Sequence, residues 1–332
     1  MCFVPTRVAA AITLSLIAGG CAAPSQPSMP VVPGSPVVPR SNAPAAREFG
    51  VSATDVERAQ NAKILSYRLM RPRSHPPFAR VAGDTKIQYP ADLVRKKGPI
   101  MATAASFNIY VNCKTGGESC WGDVEGFEKD LTGSRFTALL KQYTGSPPSG
   151  YTFGGSFSVK YHTFTKLFYS DDLMAVLHAA LIRNGRLAGY KNLYHIFLPA
   201  GYDTCFDRSR SCYSPDHPRD FTFCAYHEIV KFSDIRQNVV ASIEPYQKIG
   251  FCASRASSGA SALTNSTAST LGHEIFESIT DPGPAFAWFN FIYDDEMADL
   301  CEALQWKIEV GPTLYSIQPM YSNKYHACAD GP

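Results

Sequence analysis

The stretch DDLMAVLHAALIRN, Asp171 to Asn184, followed eight residues later by LYHIFL, Leu193 to Leu198, decides the fold reading. The first opens on two acids, spaces its apolar residues at helical intervals and ends at Asn-Gly, the start and stop signals of a helix. The second is a short apolar run and reads as a buried strand. The same alternation extends outward in both directions. Phe107 to Val111 and Asn238 to Ile243 read as strands; Gly150 to Lys166, Gly- and aromatic-rich with alternation, reads as strands or a hairpin. Phe127 to Tyr143 reads as one helix or a pair broken at Gly133. Val51 to Met70 reads as a helix with Val56, Ala59, Ala62 and Leu65 on one face, broken by RPRSHPP, Arg71 to Pro77. Strands alternating with helices define an α/β or α+β domain.

The 332 residues carry a net charge of +2 with only 18% charged residues, and no Lys/Arg cluster is interleaved with aromatics, so nucleic acid is not expected as a partner. At the N-terminus, Arg7 precedes the apolar run Val8 to Ala18, too short to span a bilayer and suited to a signal peptide. The run ends in AGGC, so cleavage before Cys21 would leave a lipid-bearing N-terminus and a membrane anchor; ordinary cleavage near Ala23, giving a secreted protein, is the alternative. Residues 22–50 follow as a Pro/Ser-rich tether with the repeated PVVP. The expected organisation is thus a lipoprotein-type signal over 1–21, the tether over 22–50, an N-terminal helix and linker over 51–97, and a hydrolase-like domain over 98–332. Eight further cysteines in an exported chain imply four disulfides and loops stapled by them. Sequence does not fix the pairing; short loops suggest Cys113–Cys120 and Cys205–Cys212, and Cys224–Cys252 and Cys301–Cys328 then follow by elimination.

TASTLGHEIFESITDP, Thr267 to Pro282, supplies the chemistry. On a helix, Leu271, Ile275, Phe276 and Ile279 share one arc, and Thr270, His273, Glu274, Glu277 and Thr280 the other. His273 and Glu277, at i and i+4, project side by side, and Glu274 lies just beside them. Two neighbouring ligands plus an adjacent carboxylate is the pattern of H-E-x-x-H zinc hydrolases, with Glu277 in place of the second histidine. In this reading His273 and Glu277 hold Zn²⁺, Glu274 is the general base that takes a proton from water, and Thr280 and Asp281 orient the ligands. The third ligand is expected from DDEMADLCEA, Asp294 to Ala303, where Glu296 and Asp299 stand ahead of Cys301; the spacing does not choose between them.

Competing readings are blander. An exposed helix face carries His and Glu without function, and an acidic loop is ordinarily solvated. Asp294, Asp295, Glu296 and Asp299 could hold Ca²⁺ through oxygen alone, though not at EF-hand spacing. A second His-Glu pair, His227–Glu228, has Lys231 at i+4 and reads as a packed histidine beside a disulfide; His178 and His195 read as core residues. Tyr151 to Phe164 could form a stacking surface for a wall polymer in a non-catalytic binding module. No G-x-S-x-G elbow and no Gly-rich phosphate loop occurs.

The chain resembles the Exordium-like, phosphate-induced proteins of plants and their secreted bacterial relatives. The resemblance runs from GPIM at Gly98 through YVNC, the helix ending near Leu187, FCAYH at Phe223–His227 and a terminal block. There the bacterial H-E-x-x-E-x-x-T-D-P, then W, then E-x-x-D-x-C is met by HEIFESITDP, Trp288 and EMADLC, which places His273, Glu274, Glu277, Asp281, Glu296 and Asp299 at matching positions. What it implies is a zincin-like domain, a mixed sheet with an active-site helix, acting as a metallopeptidase, without naming its substrate; a peptide or a cell-envelope polymer is the expected partner.

Overall fold

The computed structural model describes residues 48–71, 91–113, 120–206, 212–213, 221–302 and 304–332. The expected signal peptide with its lipidation residue Cys21, nearly all of the tether, and Pro72 to Pro77 of the helix-breaking segment lie outside the described residues. Among the described residues no helix is long and apolar enough to cross a membrane.

Seven strands form one mixed sheet: β1 (Glu48–Gly50), β2 (Lys63–Leu69), β3 (Ala104–Val111), β4 (Tyr151–Lys160), β5 (Asn192–Phe197), β6 (Tyr226–Lys231) and β7 (Val239–Glu244), in spatial order β1-β4-β3-β5-β7-β6-β2. Pairings from β1 to β7 are parallel; β6 runs antiparallel to both β7 and β2. The last three residues of the expected tether are therefore a strand, and residues 48–69 belong to the same sheet as residues 104–244. Gly150 to Lys166 gives one long strand, β4, and no hairpin.

Val51 to Met70 is corrected: helix α1 (Ala53–Gln60) ends at Asn61, and the chain continues as β2. Ser52 caps α1, its hydroxyl accepting from the Asp55 amide while Asp55 accepts from the Ser52 amide. Beyond Asn61 the side chains of KILSYRL alternate at period two, which suits a strand. The remaining elements hold close to their expected bounds: α2 (Val124–Leu131) with short helical turns over Thr137–Leu140 and Lys141–Thr144, α3 (Ser170–Arg183), and α4 (Ala262–Thr280).

The two faces of the sheet differ. One is apolar: Ile109, Val111, Tyr194, Ile196, Val239, Ala241 and Ile243 pack under α1 and α3. There His178 of α3 is buried, as read, with Nδ1 2.7 Å from Asp55 of α1. The opposite face lies under α2, α4 and the C-terminal hairpin Trp306–Val310/Thr313–Ile317. Its apolar packing comes from Tyr110, Leu193, Phe197, Val240 and Ile229. Between those residues runs a polar row. Asn108 pairs in register with His195, His195 with Ser242, Ser242 with His227, and His227 with Arg68.

All four cysteine pairs are bonded as expected: Cys113–Cys120, Cys205–Cys212, Cys224–Cys252 and Cys301–Cys328. The last ties the acidic segment at residues 294–302 to the strand Ala327–Ala329.

Candidate metal centre

Helix α4 begins at Ser261, whose hydroxyl accepts from the Thr264 amide at 3.1 Å, and stops at Asp281, before Pro282. It is not a surface helix: every residue from Thr264 to Thr280 is buried. The polar arc that could have faced solvent instead faces the polar row of the sheet and the 294–302 segment.

His273 Nε2 lies 3.1 Å from Glu277 Oε2 and 3.6 Å from Asp299 Oδ1. A tetrahedral zinc site with bonds of about 2.0–2.2 Å places its ligand atoms roughly 3.3–3.6 Å apart. One ligand atom from each of His273, Glu277 and Asp299 lies within 4.8 Å of the others. The opposite atom of each side chain is held by the protein. His273 Nδ1 is 3.3 Å from Gln318 Oε1. Glu277 Oε1 accepts from the amides of Ala298 (3.2 Å) and Asp299 (3.0 Å). Asp299 Oδ2 accepts from the Glu296 amide at 3.1 Å. Gln318 is itself fixed, its Nε2 donating to the Ala298 carbonyl at 2.6 Å and its backbone amide to Ser269 Oγ at 3.0 Å. With Nδ1–H donating to Gln318, Nε2 is the nitrogen that faces the carboxylates, and a cation bound there would take the place of its proton.

Glu296 turns to a different imidazole. His227 Nε2 is 3.8 Å from Glu296 Oε1, and His227 Nδ1 is 3.0 Å from Glu274 Oε2. His227, read from the sequence as a packed histidine, thus stands among the acids of α4 and the 294–302 segment. Thr280 spends its hydroxyl on the carbonyls of Phe276 and Glu277 and does not reach the ligands. Asp281 Oδ1 accepts from the Ala287 amide at 2.6 Å. Asp294 is exposed, and Asp295 bridges to Asn290 through backbone hydrogen bonds; neither joins the group that calcium was expected to draw together. Glu228, the next residue along β6, faces the other side of the sheet from His227. The aromatic segment at 151–164 is divided: Tyr151 is buried and donates to Glu128 at 3.1 Å, Phe153, Phe157 and Tyr161 are half-buried, with Phe157 edge-on to Phe49, and Phe164 is fully exposed.

The electrostatics are those of crowded buried acids. Burial pushes Glu274 and Glu296 well above the usual carboxylate range, and Asp281 and Asp299 up to about 7. Burial alone would lower His273, but the Glu277, Glu274 and Asp299 carboxylates outweigh it and hold the imidazole well above its ordinary value. That charge keeps Glu277 below the carboxylate range in spite of its burial. Burial lowers His227 to about 4, so this ring is neutral at pH 7. His195, a core residue as read, is lowered by burial to about 3 and touches Ser242 Oγ at 2.6 Å, which donates on to Glu244. Burial disfavours the ionised forms of Glu274, Glu296, Asp299, Asp281 and Glu244, and a divalent ion among them would favour those forms.

A cleft of about 600 Å³ reaches this cluster at Asp299. One wall is β2 from Ile64 to Leu69, the sheet's edge strand; the other carries Pro284, Phe286, Phe289 and Asp294. The Arg68 guanidinium lies 4.7 Å from the Phe286 ring centre, with its Nε 3.9 Å from Glu296 Oε2.

Taken together, a buried imidazole and two carboxylates converging at the end of a cleft define a candidate metal-binding site. No family model, no curated protein and no solved structure matches the chain.

Proposed function

We propose that the protein is an exported zinc-dependent hydrolase, a peptidase with a zincin-like arrangement of helix and sheet. The observation that carries this reading is the divided use of the three side chains. His273, Glu277 and Asp299 each have one atom tied by the protein, and the atoms left over converge. Zinc bound there would polarise a carbonyl oxygen and lower the pKa of water to about 7. Glu274 is the proton acceptor: His227 holds its Oε2, and Oε1 is buried without a hydrogen-bond partner. Gln318 and the amides of Ala298 and Asp299 keep His273 and Glu277 aimed, and Asp281, assigned from the sequence to orienting the ligands, stands against Glu296 and His227.

The cleft favours an extended peptide over a compact ligand. Among the described residues, β2 pairs only with β6, so its outer backbone groups, apart from the Tyr67 carbonyl that accepts from the Arg68 guanidinium, are available to a substrate strand. Phe286 and Phe289 offer apolar contact opposite. The resemblance to secreted Exordium-like proteins points to the same chemistry.

Purified protein is expected to hold zinc stoichiometrically, to lose it in His273→Ala, and to cleave a mixed library of unfolded peptides. Glu274→Gln, which keeps an acceptor for His227, is expected to retain zinc while cleavage falls by at least about 100-fold. Folded protein that stays metal-free at saturating zinc would overturn the reading, as would full activity in Glu274→Gln.

A further inference from the structure

We propose that the centre holds two divalent cations, the second bound by His227, Glu296 and the shared carboxylate Glu277. This rests on the metal-site reading above but goes beyond it, since one ion satisfies that reading.

One ligand atom from each of His227, Glu277 and Glu296 lies within 4.8 Å of the others, and all three side chains are buried. The residues come from three separate elements: β6, α4 and the segment before Cys301. The donors are poised and unused. His227 Nε2 and both carboxylate oxygens of Glu296 are buried without a hydrogen-bond partner, although His227 and Glu296 are 1% and 0% exposed. Atoms this deeply buried ordinarily have partners, and leaving them bare costs free energy. Here they are aimed at one another, with Nε2 3.8 Å from Oε1.

His227 carries the same preparation as His273. Its Nδ1–H donates to Glu274 Oε2 at 3.0 Å, which leaves the Nε2 lone pair turned toward Glu296. A carboxylate behind the imidazole is the usual support for a metal-ligating histidine. Glu277 belongs to both groups: its Oε2 is 3.1 Å from His273 Nε2, it supplies an atom within 4.8 Å of ligand atoms of His227 and Glu296, and its Oε1 is occupied by two backbone amides. A carboxylate shared between two ions is a bridge. The guanidinium of Arg68 reaches only the far oxygen of Glu296, at 3.9 Å, and leaves Oε1 to the ion. An imidazole with two carboxylates suits Zn²⁺ or Mn²⁺.

The test uses the whole folded domain and the metals alone. After loading with excess ZnCl₂ and removal of free metal, elemental analysis is expected to give two ions per chain. His227→Ala and the isosteric Glu296→Gln are each expected to give one. After loading with MnCl₂, the parent is expected to show the multiline EPR signal of an exchange-coupled pair, and both variants the six-line signal of an isolated ion. One ion per chain in the parent, with an uncoupled spectrum, overturns the second site and leaves the first intact. No ion in folded parent protein overturns both. Two ions retained in folded Glu296→Gln also overturns the assignment, and this variant decides should His227→Ala fail to fold.

Discussion

Glu228 and Glu277 show how differently one residue type behaves when buried. Glu277 has backbone amides on one oxygen and an imidazole facing the other. Glu228, in the middle of β6, is 0% exposed and neither of its oxygens has a hydrogen-bond partner. Burial pushes it from 4.5 up to about 8. Because the folded value lies above the unfolded one, the folded state binds the extra proton between those limits. Stability from this group is therefore full below about pH 4.5 and declines as pH rises toward 8. Glu228→Gln is expected to match the parent in urea unfolding at about pH 4.5 and to exceed it at about pH 9 by up to about 5 kcal/mol. An equal difference at both pH values would refute this. At this scale the sequence was half legible. His273, Glu274 and Glu277 could be read because helical spacing relates residues within one element. His227 and Gln318 could not, because their approach depends on strand register and on a hairpin 45 residues beyond His273. The signal for His227 was a polar residue inside an apolar strand, the feature it shares with Asn108, His195 and Ser242.

Among the elements, α4 has the largest consequence, since it is enclosed on every side and carries the ligands at its middle. Gly272, one residue before His273, is its weak point: glycine in a helix interior gives up more backbone entropy than alanine. A Cβ there would meet the Phe127 ring at 3.4 Å and the Met320 methyl at 3.9 Å, ordinary contact distances. Gly272→Ala is expected to add about 0.5–1 kcal/mol in thermal or urea unfolding with unchanged zinc content. A loss of stability would mean that Phe127 cannot give by a few tenths of an ångström. Helices α3 and α4 and strands β3, β5 and β7 were legible because their apolar patterns are long or unbroken. The α1–β2 boundary was not: Val56, Ala59, Ala62 and Leu65 keep a three-residue spacing across Asn61, and that spacing hid the change to period two. The burial of α4's polar arc was equally hidden, because helical periodicity separates two arcs without saying what covers each.

For the whole molecule, the Cys301–Cys328 bond joins the acidic segment to the C-terminal strands, with a sequence separation of 27. A loop of that length contributes about 3–4 kcal/mol by restricting the unfolded chain. Replacing both cysteines by serine is expected to lower stability by that order in urea unfolding. It is also expected to weaken zinc binding at least tenfold by calorimetry, since Asp299 and Glu296 lie just ahead of Cys301. Unchanged affinity would show that the amides holding Glu277 suffice without the bond.

The unlike faces of the sheet carry a consequence for descent. One side is an apolar core interrupted by Glu228 and the His178–Asp55 pair, while the other gathers a cluster of buried acids. Exchanging that polar interior for well-packed leucine or methionine would make the chain sturdier. The two faces can therefore drift independently: substitutions among the buried acids leave the architecture standing, whereas substitutions in the apolar face do not.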